Sequence, residues 1–243
     1  DTGNKRILRF MREKGGSYAR EGAAVVVKVA ATAIVLDKDN NLFVTDGKQL
    51  IRYPLKRDRL NFGKGKRLKK EKGNDRIRAL AVDGQNNLLV LRKTRDVINP
   101  VVFEVGKLLR EELYHYEKKL DIKYVLRNPT AMVYNEASKK LYFADAPVGG
   151  HSTSATPKFA CVIEVPEQHG KFSPKFSGVA GTAAFANGTC YNSGQFHESG
   201  PGQMAFNNQG DMFVVDAGWD RVLKFEDDGD SGISKLGLKV SRS

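Results

Sequence analysis

The feature that most constrains this chain is a unit that recurs along it. A short apolar run leads to a polar turn rich in Asp, Asn or Gly. A second apolar run then ends in a small or acidic residue, and a third follows. One copy spans 33–37, a turn at 38–41, 42–46 and then 49–53. The next has 80–83, a turn at 84–87, 88–91 and later 101–105. A third has 131–134, a turn ending in Lys139 and Lys140, 141–145 and later 161–165. The fourth has 203–206, a turn at 207–210, 212–216 and then 221–225, and residues 1–10 read as the second half of such a unit.

Runs of four or five residues rich in Val, Ile, Leu and Phe, bounded by turn formers, predict buried strands, since helices need longer segments at 3.6 periodicity. The Asn-Asn and Gln-Gly turns suit tight hairpins, because Asn and Gly tolerate positive φ. Measured at the end of the middle strand, from Asp1 to Asp46, Arg92, Asp145 and Asp216, the spacing is 45, 46, 53 and 71 residues. A period in the forties with three or four short strands per unit predicts an all-β chain folded as a β-propeller. About five to six four-stranded blades are expected, partly degenerate or incomplete. A β-sandwich is the alternative, because sandwiches also space short strands closely.

At these residues a family resemblance emerges. The segment DTGNKRILRF at 1–10 resembles the second half of an NHL repeat, and NLFVTD at 41–46 and GDMFVVDAGWDRVLKF at 210–225 look like the same unit. The likeness is looser over 80–105 and 131–165, where Arg92 stands in place of the acidic residue. It implies a single NHL-like propeller over 1–243, with insertions near 54–76, 106–123 and 166–202. It says almost nothing of chemistry. Asp1 with Arg6, and Asp216 with Arg221, share a spacing of five and are expected to be structural pairs within a blade. Ring closure is expected to use both termini, with 233–240 lying beside the first strands, or else upstream residues.

Charge is the strongest pointer to function. Residues 1–129 hold 30 Lys and Arg against 16 Asp and Glu, whereas 130–243 hold 10 against 12. The excess peaks at 56–72, where Lys56, Arg57, Arg59, Lys64, Lys66, Arg67, Lys69, Lys70 and Lys72 face two acidic residues, with Phe62 and two glycines among them. Read as a loop between blades, this segment suits phosphate contact, with Phe62 available to stack on a base; an acidic protein surface is the other partner it fits. Lys5, Arg6, Arg9, Arg12 and Lys14 add to the same half.

Leu108, Leu109, Leu113 and Tyr116 at 3/4 spacing predict one inserted amphipathic helix over 107–123. The four histidines have no metal-ligand spacing, and neither a phosphate-cradling Gly-Lys-Ser/Thr nor a G-x-S-x-G elbow occurs, so no metal, cofactor or catalytic set is expected. Asn187-Gly-Thr189 is a glycosylation sequon, and with Cys161 and Cys190 it permits a secreted reading with one disulfide. No apolar stretch reaches the ~20 residues of a membrane span, and no charged-then-apolar leader is present, so targeting information is expected to be absent or removed. The expectation is a non-catalytic scaffold module inside a larger assembly, intracellular or organellar, whose basic face contacts RNA or another anionic partner. The alternative is a secreted or lumenal NHL-type lyase or hydrolase with a metal at the central channel.

Overall fold

The computed structural model describes residues 1–11, 15, 24–58, 61–70, 75–94, 102–109, 115–120, 129–145, 161–168, 171–172, 177–180, 182–185, 188–191, 201–225 and 239–241. The first sheet pairs β1 (Ile7–Arg9) with β2 (Ala24–Val27). The second runs β3 (Ala33–Leu36), β4 (Leu42–Thr45), β5 (Gln49–Tyr53) and β6 (Lys66–Lys70). The third runs β7 (Arg76–Val82), β8 (Leu88–Thr94), β9 (Val102–Leu109) and β10 (His115–Leu120). The fourth joins β11 (Pro129–Asn135), β12 (Lys140–Asp145) and β13 (Cys161–Gln168), with β14 (Lys171–Phe172) and β15 (Ser177–Ala180) both pairing β13. A hairpin of β16 (Thr182–Phe185) and β17 (Gly188–Tyr191) precedes the last sheet, β18 (Met204–Phe206), β19 (Met212–Asp216), β20 (Arg221–Phe225) and β21 (Lys239–Ser241). Every paired neighbour is antiparallel.

Side-chain alternation explains how the sheets stack. Successive residues of a strand face opposite ways. On β8, Leu88 and Val90 pack with Phe43 and Leu50 of the second sheet, whereas Leu89 and Leu91 pack with Phe143 and Val165 of the fourth. On β12, Leu141 and Phe143 join that same cluster, while Tyr142 turns the other way onto Met212, Leu223 and Phe225. On β4, Leu42 and Val44 meet Ile7 and Val27 of the first sheet. The continuous apolar runs of β4, β8 and β12 are thus strands buried on both faces, and each apolar cluster lies between consecutive sheets. The arrangement is propeller-like. A two-layer sandwich would leave outer faces to solvent, and the two-sided burial of β8 and β12 rules it out.

The turns after β3, β7 and β18 are built alike, whereas after β11 Asn135 Oδ1 accepts the N–H groups of Ala137 and Ser138. Asp37 accepts the backbone N–H groups of Asp39 and Asn41, at 2.9 and 2.7 Å, and the Asn41 side-chain amide at 2.8 Å. Asp83 does the same for Gln85 and Asn87. In the last sheet the pair is exchanged: Asn207 accepts the N–H groups of Gln209 and Asp211 and donates its amide to Asp211. Asn40, Asn86, Lys139 and Gly210 take positive φ in these turns. The two predicted intrablade pairs are present, Arg6 Nε to Asp1 at 2.7 Å and Arg221 Nε to Asp216 at 2.9 Å.

Three expectations need correction. Residues 107–109 and 115–120 are strand, not helix, and β9 and β10 pair side by side. Leucines at 108 and 109 fit either period, and it is pairing that decides, with Leu108 opposite Leu88 and Lys107 opposite Leu89. The basic segment is not wholly a loop, since its second half is β6, the outer strand of the second sheet. The C-terminal segment, so far as 239–241 describe it, completes the last sheet against β20 instead of lying beside the first strands.

Candidate functional site

Two places in this scaffold concentrate polar chemistry: the basic edge of the second sheet and the mouth where the first strands converge. At the edge, 54–56 and 61–63 lie against each other. Lys56 N–H donates to Asn61 O at 2.8 Å, Gly63 N–H to Pro54 O at 2.7 Å, and Leu55 bridges to Phe62. The chain then enters β6, whose Leu68 packs toward the core between the second and third sheets. Gly65 is needed here for space, because a Cβ would sit 2.6 Å from the Tyr53 ring.

Lys56, Arg57, Lys64, Lys66, Arg67 and Lys70 are all exposed, and none of the six forms an ion pair among the described residues. Lys69 lies on β6 opposite Leu50, whereas Arg59, Lys72 and Asn187 fall outside the described residues. In register, Lys66 stands opposite Arg52 on β5. Phe62 is half-buried and belongs to the apolar cluster around Ile7 and Val44, so it is not an exposed stacking platform. Cys161 and Cys190 lie on β13 and β17.

The second place is a cavity of about 480 Å³ bordered by Thr32, Asp46, Arg76, Arg78, Thr130 and Gln203, among others. Four of these hold one structural position. Thr32, Arg78, Thr130 and Gln203 each stand one residue ahead of a regular cross-strand pair on the first strand of successive sheets: Ala33 with Thr45, Ala79 with Leu91, Ala131 with Ala144 and Met204 with Val214. Arg78 and Thr130 sit at register shifts in β7 and β11. Bulges of this kind re-aim a side chain. Sheets are stitched here by Ile77 N–H donating to Gly47 O at 2.8 Å and Thr130 Oγ1 to Pro201 O at 2.6 Å. Burial pushes the Asp46 carboxyl up, but the N–H groups of Gln49 and Lys48 and the Gln49 amide outweigh it and hold the group below its ordinary value.

Opposite the mouth, Lys38 ties three turns together. Its N–H donates to Asn86 Oδ1 at 2.7 Å, and its Nζ reaches Gly84 O and the Glu136 carboxylate. Beside Gly84, the Tyr134 hydroxyl is held far above its ordinary value by burial and by its 2.6 Å bond to Glu167. Among the described residues no three His, Cys, Asp or Glu side chains cluster as metal ligands, and no helix is long and apolar enough to cross a membrane.

Sequence reasoning missed the mouth entirely. Thr32, Arg78, Thr130 and Gln203 share no residue type, and only their common offset from the first strands could have flagged them.

No protein-family model matches the chain, and no curated protein matches it. Solved structures do. Virginiamycin B lyase from Staphylococcus aureus superposes with a TM-score of 0.55 at 9% identity, over 100% of this chain and 65% of that one. A luciferin-regenerating enzyme gives 0.58 at 12% identity, over 100% and 69%. An auxiliary nutrient binding protein from Bacteroides thetaiotaomicron gives 0.54 at 12%, over 86% and 41%. The chain therefore spans less than two thirds of the length of the staphylococcal lyase. At such identities the likeness is one of fold, and the fold it supports is the β-propeller.

Proposed function

We propose that this chain is a propeller interaction module of the NHL type, non-catalytic, whose basic edge docks on RNA within a larger intracellular or organellar assembly. One observation carries the reading: six exposed cations at 56–70, none with an ion-pair partner among the described residues. A free surface arranged this way costs stability through self-repulsion, and a polyanion offsets that cost while releasing condensed counterions. The half-buried Phe62 favours backbone contact over base stacking, hence binding with little sequence preference.

The test is fluorescence anisotropy with a mixed-sequence single-stranded RNA, from about 50 to 200 mM salt. Changing Lys64, Lys66, Arg67, Lys69 and Lys70 to Glu should abolish most binding. It should also flatten the salt dependence, the logarithmic slope falling by about 0.7 for each phosphate no longer neutralised. Unchanged affinity would remove the proposal. Binding to polyglutamate without binding to RNA would replace it with an acidic protein partner.

A further inference from the structure

We infer that the mouth between the first strands is a binding site for a small-molecule oxyanion, a carboxylate or phosphate group gripped by Arg76 and Arg78. The inference does not depend on the RNA reading, because the two use different residues. It begins with Arg78. Its Nε is buried and has no hydrogen-bond partner among the described residues, although the side chain borders a polar cavity of about 480 Å³. A buried guanidinium donor left unsatisfied is costly, and in native proteins it ordinarily marks a missing partner. A protein that merely needed to fill the ring position could use a neutral residue, as the equivalent positions do with Thr32, Thr130 and Gln203.

The surroundings select for an anion. Arg76 borders the same cavity and spends one donor, Nη1, on the Asp75 carbonyl at 2.9 Å. That leaves the rest of its fork available. Two guanidiniums on one strand, with the register shift re-aiming Arg78, offer planar donor pairs that match carboxylate or phosphate oxygens. The Asp46 carboxylate shares the mouth, held by the N–H groups of Lys48 and Gln49 and the Gln49 amide, and among the described residues it forms no ion pair with either arginine. Thr32 donates its hydroxyl to Thr45 O and Thr130 to Pro201 O; they shape the rim without donating to the ligand. Gln203 holds one amide hydrogen near Thr130 O, which leaves the other for the anion. The volume suits a small organic acid or sugar phosphate.

Calorimetric titration of the whole chain with inorganic phosphate and, separately, with succinate tests this and distinguishes the two oxyanions. Saturable one-site binding of at least one probe is expected. Arg78→Gln should weaken it about tenfold or more, and Arg78→Lys, which keeps the charge but loses the fork, should fall between. Lys66→Gln with Arg67→Gln on β6 should leave it within about twofold while impairing RNA binding. The melting temperature of each variant shows that it is folded. The inference is overturned if neither probe saturates, if Arg78→Gln and Arg78→Lys bind like the parent, or if the β6 variant loses phosphate affinity as much as Arg78→Gln.

Discussion

Asp83 and Lys107 lie 2.9 Å apart with side chains 0% and 9% exposed, deep between strands β8 and β9 and the turn at 84–87. The Asp83 carboxylate also accepts the N–H groups of Gln85 and Asn87 and the Asn87 amide. A buried ion pair contributes little net, but breaking one leaves an uncompensated buried charge, which costs about 3–5 kcal/mol. Asp83→Ala should therefore lower the urea midpoint severely. Asp1→Ala, which breaks a half-exposed pair with Arg6, should cost less than about 1 kcal/mol. Equal losses in the two variants would refute the contrast. Lys224 and Asp211 form a pair of the same length in the last sheet, at 2.9 Å, but a partly exposed one. A lysine that looks like a solvated helix residue in sequence is thus a counter-ion in the fold.

At the scale of the element, β6 shows how a strand forms against its own composition. Its sequence, Lys-Arg-Leu-Lys-Lys, carries one apolar residue, and charge repels along it. It holds because an outer strand needs only one apolar side chain packed against the core, the partly buried Leu68, and a ladder partner in β5. Gly65 permits the approach. Gly65→Ala would bring a methyl group within 2.6 Å of the Tyr53 ring and 2.9 Å of Ile51. The expected outcome is destabilisation of about 1–3 kcal/mol, with faster proteolysis at 64–70. Wild-type protease resistance and melting temperature in this variant would show that β6 is not seated on Tyr53. The same logic explains the misread segment at 107–120, where an apolar pair flanked by charges has no helical or extended preference strong enough to decide by itself.

Across the whole molecule, the apolar clusters are shared between neighbouring sheets, so that consecutive sheets bury one another's faces. Leu89 is fully buried between the third and fourth sheets. Leu89→Ala should cost about 2–5 kcal/mol, and the destabilisation should be felt far from the cavity. The single tryptophan, Trp219, reports on the last sheet, where Arg221 stacks on it at 4.2 Å. If the sheets unfold as one cooperative unit, urea transitions followed by Trp219 fluorescence and by far-UV circular dichroism should shift together in this variant. A fluorescence midpoint that stays put while the dichroism midpoint falls would mean that the last sheet unfolds independently.

Much of the fold is legible in the residues because the information is local. Runs such as 88–91 are apolar on both sides of the strand, turns such as 37–41 carry their own hydrogen-bonding side chains, and Asp216 with Arg221 lies five residues apart. Such features need no distant partner to be recognised. The outer strands, the strand character of Lys107 and Leu108, and the mouth were decided by tertiary structure alone. Their identity depends on which residues another segment brings opposite them, and Arg78 acquires a meaning only once Thr32, Thr130 and Gln203 surround the same cavity. Sequence spacing encodes what a segment can be; pairing and burial across sheets fix what it becomes, because those energies belong to both partners.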